Sequence, residues 1–252
     1  MSCGIALICL NNIPGMPDQD GRKVSGWEEF LGAALVFLVS HALPARPGIR
    51  IRLVSLLGRW AYLALYSAVS LALFAWLIIA AGRAPYVWLW FWGPHGLWLA
   101  NGLMALALLL VIGGTAIANP FSLGGLAERA YNPARPGILA VTRHPLLWAM
   151  VLWSLAHLIA NGDLAHVLLF GSLGVFSVVG ILAMETRSRM RGGALWSQMI
   201  RGTSLVPFAA LLTGNARWRE LLQLRMLLLP VVWGGLILLH RPVVGVSPLP
   251  PV

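Results

Sequence analysis

Cysteine, lysine and acidic residues are scarce in this 252-residue chain, and each scarcity excludes a class of protein. The two cysteines, Cys3 and Cys9, form no Cys-x-x-Cys pair, which disfavours a zinc site or thiol redox chemistry. Only 10% of the residues are charged, whereas soluble domains carry roughly 25%, so an ordinary soluble domain is excluded. No basic stretch alternates with aromatic residues as nucleic-acid grooves do, and we expect no nucleic-acid partner.

Hydrophobic residues make up 59% of the chain, and they fall in runs of membrane-spanning length. We predict an all-α, polytopic membrane helix bundle with six spans: residues 26–43, 60–81, 96–118, 142–161, 164–184 and 221–240. The apolar run at 204–212 is too short to cross a bilayer, which needs about 20 residues, so it is predicted to be interfacial or re-entrant. These elements form one predicted domain over residues 24–240, between a disordered extension at 1–23 and a Pro-rich tail at 241–252.

Arginine dominates the formal net charge of +10, since Lys23 is the only lysine. The loops at 44–59, 119–143 and 185–220 carry four, three and six arginines, whereas the alternate loops carry one and none. Basic loops remain on the cytoplasmic side, so both termini are predicted to lie outside, and anionic membrane lipids are expected partners.

The stretch from Thr142 to Asn161 is the centre of the predicted bundle. It is predicted to be one membrane helix entered through Arg143-His144-Pro145, since proline is tolerated in the first turn of a helix. At about 1.5 Å per residue, His144 and His157 lie about 20 Å apart, near opposite membrane surfaces. An ionisable residue at membrane depth indicates a functional site by default.

Two histidines are predicted at the cytoplasmic surface, His41 and His144, beside Glu185 and the guanidinium groups of Arg46 and Arg143. Imidazole ligates haem iron or transfers protons near neutral pH, and arginine holds carboxylates such as haem propionates. With His157 on the outer side, these residues form the candidate set for a cofactor. His95, His166 and His240 are instead expected to be interfacial residues without a role in a site.

Three motifs together closely resemble the NnrU family: SHALPARPG at 40–48, GILAVTRHPLLWAMVLWSLAHLIANGD at 137–163, and TSLVPF at 203–208. The resemblance covers roughly residues 24–215. It implies a bacterial inner-membrane protein that is linked to denitrification, the reduction of nitrite and nitric oxide.

Plant and cyanobacterial relatives of the NnrU family are 15-cis-zeta-carotene isomerases, membrane enzymes that use haem b. The resemblance therefore implies haem b and isomerase-like or oxidoreductase-like chemistry, on an apolar small-molecule substrate that the sequence does not name. His41 and His157 match the positions most often proposed as axial ligands in those isomerases. The predicted topology instead places His41 at the depth of His144, so the ligand pair stays open between these two alternatives.

A second resemblance points to a different chemistry. Arg143-His144-Pro145, followed by Glu185, Trp196 and Pro207, is similar to the isoprenylcysteine and phospholipid methyltransferase family, which binds S-adenosylmethionine. This chain has Thr186 where that family has a second glutamate, so methyl-donor binding is expected to be lost. A non-enzymatic membrane accessory protein is the third hypothesis.

Overall fold

The computed structural model describes residues 25–44, 46–123 and 131–250, and it confirms the all-α fold. Within these ranges there is no β-strand, only an isolated bridge between Trp88 and Asp163. The α-helices are α1 Ser25–Ala42, α2 Pro47–Leu57, α3 Arg59–Arg83, α4 Gly93–Gly114, α5 Pro145–Ala160, α6 Leu164–Gly192, α7 Trp196–Met199, α8 Ala209–Leu212 and α9 Leu228–Val244. Short 3-10 helices lie at Gly137–Ala140, Gly193–Leu195, Trp218–Leu221 and Leu224–Leu227.

Among the described residues, four helices are long and apolar enough to cross a membrane: Arg59–Arg83, Gly93–Gly114, Leu164–Met199 and Leu224–Val244. They correspond to four of the six predicted spans. The other two predicted spans are the 18-residue α1 and the 16-residue apolar α5. Only α8, of four residues, occupies the predicted short segment at 204–212. Its predicted interfacial or re-entrant position stays a prediction, and the predicted extension at 1–23 lies outside the described residues.

The described residues form two compact units, of which the first lies within the bounds Met1–Leu89 and Asp163–Leu169. In this unit α1 packs against α3. Glu29 on α1 accepts hydrogen bonds from Trp76 at 3.3 Å and Arg83 at 3.2 Å. Asp163 caps the beginning of α6, because its carboxylate accepts a hydrogen bond from the backbone N–H of His166 at 3.2 Å.

The second unit comprises Trp90–Gly162 and Phe170–Val252, and its core is the packing of α4 against α5. Gly114 makes this approach possible, since a Cβ atom there would lie only 2.6 Å from the Pro145 ring. A buried apolar cluster surrounds the contact, with Leu110, Phe121 and Leu139 almost wholly enclosed. The predicted single domain over 24–240 stays a prediction.

Helix α5 begins later than the predicted Thr142. The residue before a proline is sterically kept out of the α conformation, and His144 has φ −119° and ψ 58°. Residues 142–144 therefore precede the helix as irregular backbone with a bend at Arg143, and their backbone and side chains bind other segments.

Candidate functional site

An ion pair between Arg143 and Glu185 lies at the centre of the second unit's polar cluster. Nε of Arg143 donates to one carboxylate oxygen at 3.1 Å, and Nη2 donates to the other at 2.5 Å. The two side chains are only 9% and 18% exposed. A two-pronged guanidinium–carboxylate contact fixes both position and orientation, so Arg143 ties the start of α5 to α6.

Arg143 makes three further contacts that use its whole length. Nη1 donates to the Thr203 hydroxyl at 3.2 Å, and the guanidinium lies 5.9 Å from the centre of the Trp196 ring. Its backbone N–H donates to the carbonyl of Ser204 at 2.9 Å. The charge is therefore held by protein groups, although the sequence suggested that such an arginine meets lipid phosphates or haem propionates.

The His144 side chain is completely buried and shares the same carboxylate. Its Nε2 lies 3.0 Å from Oε2 of Glu185, whereas Nδ1 has no hydrogen-bond partner in the described part of the chain. One ring nitrogen of His144 is therefore held by Glu185, and the other is enclosed without a partner among the described residues.

The 203–208 motif binds alongside residues 141–143 through backbone groups. The Val141 carbonyl accepts from the Phe208 N–H at 2.9 Å, and the Leu205 carbonyl accepts from the Thr142 hydroxyl at 3.0 Å. Trp148 donates its indole N–H to that same carbonyl at 2.9 Å. Two motifs some 60 residues apart thus form one polar layer around the Arg143–Glu185 pair.

Tyr131 lies beside this layer, with its ring edge against Phe121. Its hydroxyl is buried and has no hydrogen-bond partner among the described residues. Burial raises the pKa of Tyr131 to about 12, against the opposing effect of the Arg143 charge. The phenol is therefore neutral at physiological pH.

His157 lies near the opposite end of α5, and the structure does not bring it together with His144. Its Nδ1 lies 2.8 Å from the carbonyl of Trp153, one turn earlier. The rings of Trp153 and Phe170 are centred 4.7 Å and 4.6 Å from the imidazole. His157 is therefore a half-buried imidazole in aromatic surroundings.

His41 and Arg46 belong to the first unit, at the end of α1 and the beginning of α2. Nδ1 of His41 lies 2.8 Å from the carbonyl of Phe37, and the two rings are centred 4.1 Å apart. Tyr66 also contacts the imidazole, at 5.8 Å between ring centres. Arg46 is exposed.

Metal ligation by these residues stays a prediction. In the described ranges, no group of three or more His, Cys, Asp or Glu side chains is placed to hold a metal ion. That observation concerns sites built from several protein ligands, and haem needs only one or two axial side chains from the protein.

Comparison with known proteins gives the family. A family model described as NnrU protein matches residues 29–248. The chain is 32% identical to the 15-cis-zeta-carotene isomerase, chloroplastic, of Zea mays over 83 residues, which are 32% of this chain and 22% of the maize protein. It thus spans about a fifth of the length of this curated relative, and no solved structure matches. Because the family model covers most of its length, this membrane protein belongs to the NnrU family.

Proposed function

We propose that this chain binds haem b in the bacterial inner membrane, serves nitrite and nitric oxide metabolism, and has isomerase-like chemistry on an apolar substrate. The distant similarity to the maize protein, which is named as an isomerase, supports the chemistry. The observation that carries the cofactor proposal is the setting of the His157 imidazole.

The His157 ring has the arrangement that an axial haem ligand requires. Its Nδ1–H donates to the carbonyl of Trp153 at 2.8 Å. Metal-ligating histidines almost always donate their other ring N–H in this way, because the hydrogen bond fixes the tautomer and ring orientation. Trp153 and Phe170 supply the apolar contacts that a porphyrin favours.

His41 has the same arrangement in its own unit, with Nδ1–H directed to the Phe37 carbonyl at 2.8 Å. We propose His41 and His157 as iron-ligand candidates, each on its own geometry. When bound, haem supplies an iron centre whose potential and reactivity depend on its axial ligands.

His144 and Arg143 are less suited to haem than the sequence indicated. His144 is fully enclosed and its Nε2 is bound to Glu185, while Arg143 is committed to Glu185 and Thr203. Arg46, which is exposed, remains the proposed partner for a haem propionate. The polar layer around Glu185 then supports the fold.

Optical spectroscopy of the full-length chain from haem-replete cells tests the proposal. The wild type is expected to show a Soret band that shifts on reduction. His157→Ala and His41→Ala should abolish or shift that band, since each removes a proposed ligand. His95→Ala, at an exposed position, is the matched control and should leave the spectrum unchanged. Spectra of both ligand variants identical to that of the control would overturn the assignment.

The methyltransferase alternative gains no support at Glu185. Both carboxylate oxygens accept hydrogen bonds from Arg143, and one also contacts His144. The carboxylate is thus committed to protein groups. An accessory role without catalysis becomes the leading hypothesis if the protein binds no haem.

A further inference from the structure

A cleft of about 640 Å³ lies in the second unit, apart from the Arg143–Glu185 pair, and nothing in the proposed function uses it. Its walls come from the loop at 131–138, the segment at 219–223, and the residues just after α4. Pockets of 300–1,000 Å³ are the usual size for small-molecule sites. The cleft is therefore large enough for a lipid headgroup or a small metabolite.

Two arginines of this cleft, Arg135 and Arg219, come from segments far apart in sequence. Both are exposed, and neither guanidinium makes a side-chain hydrogen bond or ion pair with another described residue. The guanidinium fork matches the oxygens of a phosphate group, so two unpaired arginines on one cleft favour an anion.

The carboxylate in the cleft does not neutralise these arginines directly. Oε2 of Glu220 accepts a hydrogen bond from the backbone N–H of Gly137 at 3.0 Å. Gly137 has φ +59°, a conformation that favours glycine, so the turn presents its N–H to that carboxylate. Glu220 thus fastens the two walls of the cleft together.

The other lining residues suit an amphiphilic ligand. Oδ1 of Asn132 accepts from the Ala134 N–H at 2.9 Å, which leaves the Asn132 amide N–H groups as donors. Ile117, Ile138 and Leu222 add apolar surface to the same cleft. Since α4, a candidate span, ends at Gly114, the cleft lies close to the end of a membrane helix. Basic pockets at such positions bind anionic lipid headgroups.

We propose that this cleft binds a phosphate group between Arg135 and Arg219, carried either by an anionic lipid headgroup or by a small soluble molecule. The site is independent of haem. Its loss should therefore leave the Soret band unchanged.

Binding measurements on the full-length, detergent-solubilised protein test this proposal. The phosphate probes are dihexanoyl-phosphatidylglycerol and inorganic phosphate, and dihexanoylglycerol is the matched lipid without phosphate. Each arginine near an anionic headgroup contributes about 1 kcal/mol, so Arg135→Gln or Arg219→Gln should weaken binding about fivefold, and both together about thirtyfold. Arg241→Gln, an exposed arginine outside the cleft, is the control and should change affinity less than twofold.

Tighter binding of phosphatidylglycerol than of inorganic phosphate would identify a lipid, and the reverse would identify a soluble ligand. Either result supports the phosphate site if the cleft variants lose it. The proposal is overturned if neither phosphate probe binds the wild type, or if the cleft variants match Arg241→Gln. It is also overturned if dihexanoylglycerol binds as tightly as phosphatidylglycerol and loses affinity in the same variants.

Discussion

Breaking the Arg143–Glu185 pair should destabilise the protein much more than breaking its exposed counterpart. Removal of one partner of a buried pair leaves an uncompensated charge, which costs about 3–5 kcal/mol. With side chains 9% and 18% exposed, we expect about 3 kcal/mol for either Arg143→Ala or Glu185→Ala. The Arg83–Glu29 pair, 65% and 32% exposed, is the internal control and should contribute about 0–1 kcal/mol.

A double-mutant cycle separates the pair from its surroundings. The free energy of unfolding would be measured by SDS titration of the full-length protein for each single variant and for Arg143→Ala/Glu185→Ala. We expect a coupling energy of about 1–3 kcal/mol, because the second substitution removes the charge that the first left unpaired. A coupling no larger than that of the Arg83–Glu29 cycle would refute the view that this pair fastens α5 to α6.

Three further predictions concern topology, methyl-donor binding and pH. A reporter fused after Val252 should be active as a periplasmic phosphatase and dark as a cytoplasmic fluorescent protein; the opposite pattern would contradict the six-span topology. Calorimetric titration should show weak or no binding of S-adenosylmethionine, and low-micromolar binding that vanishes in Glu185→Ala would promote the methyltransferase. Burial raises the pKa of Asp163, but the hydrogen bond and charge of His166 lower it by more, so the net shift is downward. The stability that Asp163 contributes is then complete above about pH 4 and is lost as acid protonates the carboxylate. Asp163→Asn should therefore flatten the acidic part of a curve of unfolding free energy against pH. An unchanged acidic part of that curve would contradict this.

The apolar runs were enough to predict most of the helices, because burial in lipid requires long hydrophobic segments. The predicted spans at 60–81 and 96–118 correspond to Arg59–Arg83 and Gly93–Gly114. Proline likewise indicated where α5 begins, although the helix proper starts at Pro145 and not at the predicted Thr142. Composition alone could not find the short helices after α6, since each depends on local turns and contacts.

The sequence was enough to predict the membrane depth of the candidate site residues but not which of them form hydrogen bonds with one another. Arg143, His144 and Glu185 were assigned to one membrane layer from their positions at helix ends. That they share one carboxylate depends on the rotation of α5 and α6 about their axes, which arginine counts do not determine. Nothing in the sequence alone singles out Thr203 as a site residue. Its place in the TSLVPF motif was the available signal, but hydrogen bonds between that motif and residues 141–143 follow only from the fold.

The sequence also could not decide which histidines are the better ligand candidates. Depth favoured His41 with His144, whereas family resemblance favoured His41 with His157. Burial and hydrogen bonding favour His41 and His157 as separate ligand candidates, because each directs Nδ1 to the backbone carbonyl one turn earlier. No spacing in the sequence distinguishes this arrangement from the enclosed ring of His144.

The most direct test of the account is the absorption spectrum of the purified protein before and after reconstitution with haem b. If His157 ligates haem iron, the wild type shows a Soret band that shifts on reduction, and His157→Ala loses or displaces that band. A wild-type protein without a Soret band after reconstitution would contradict it.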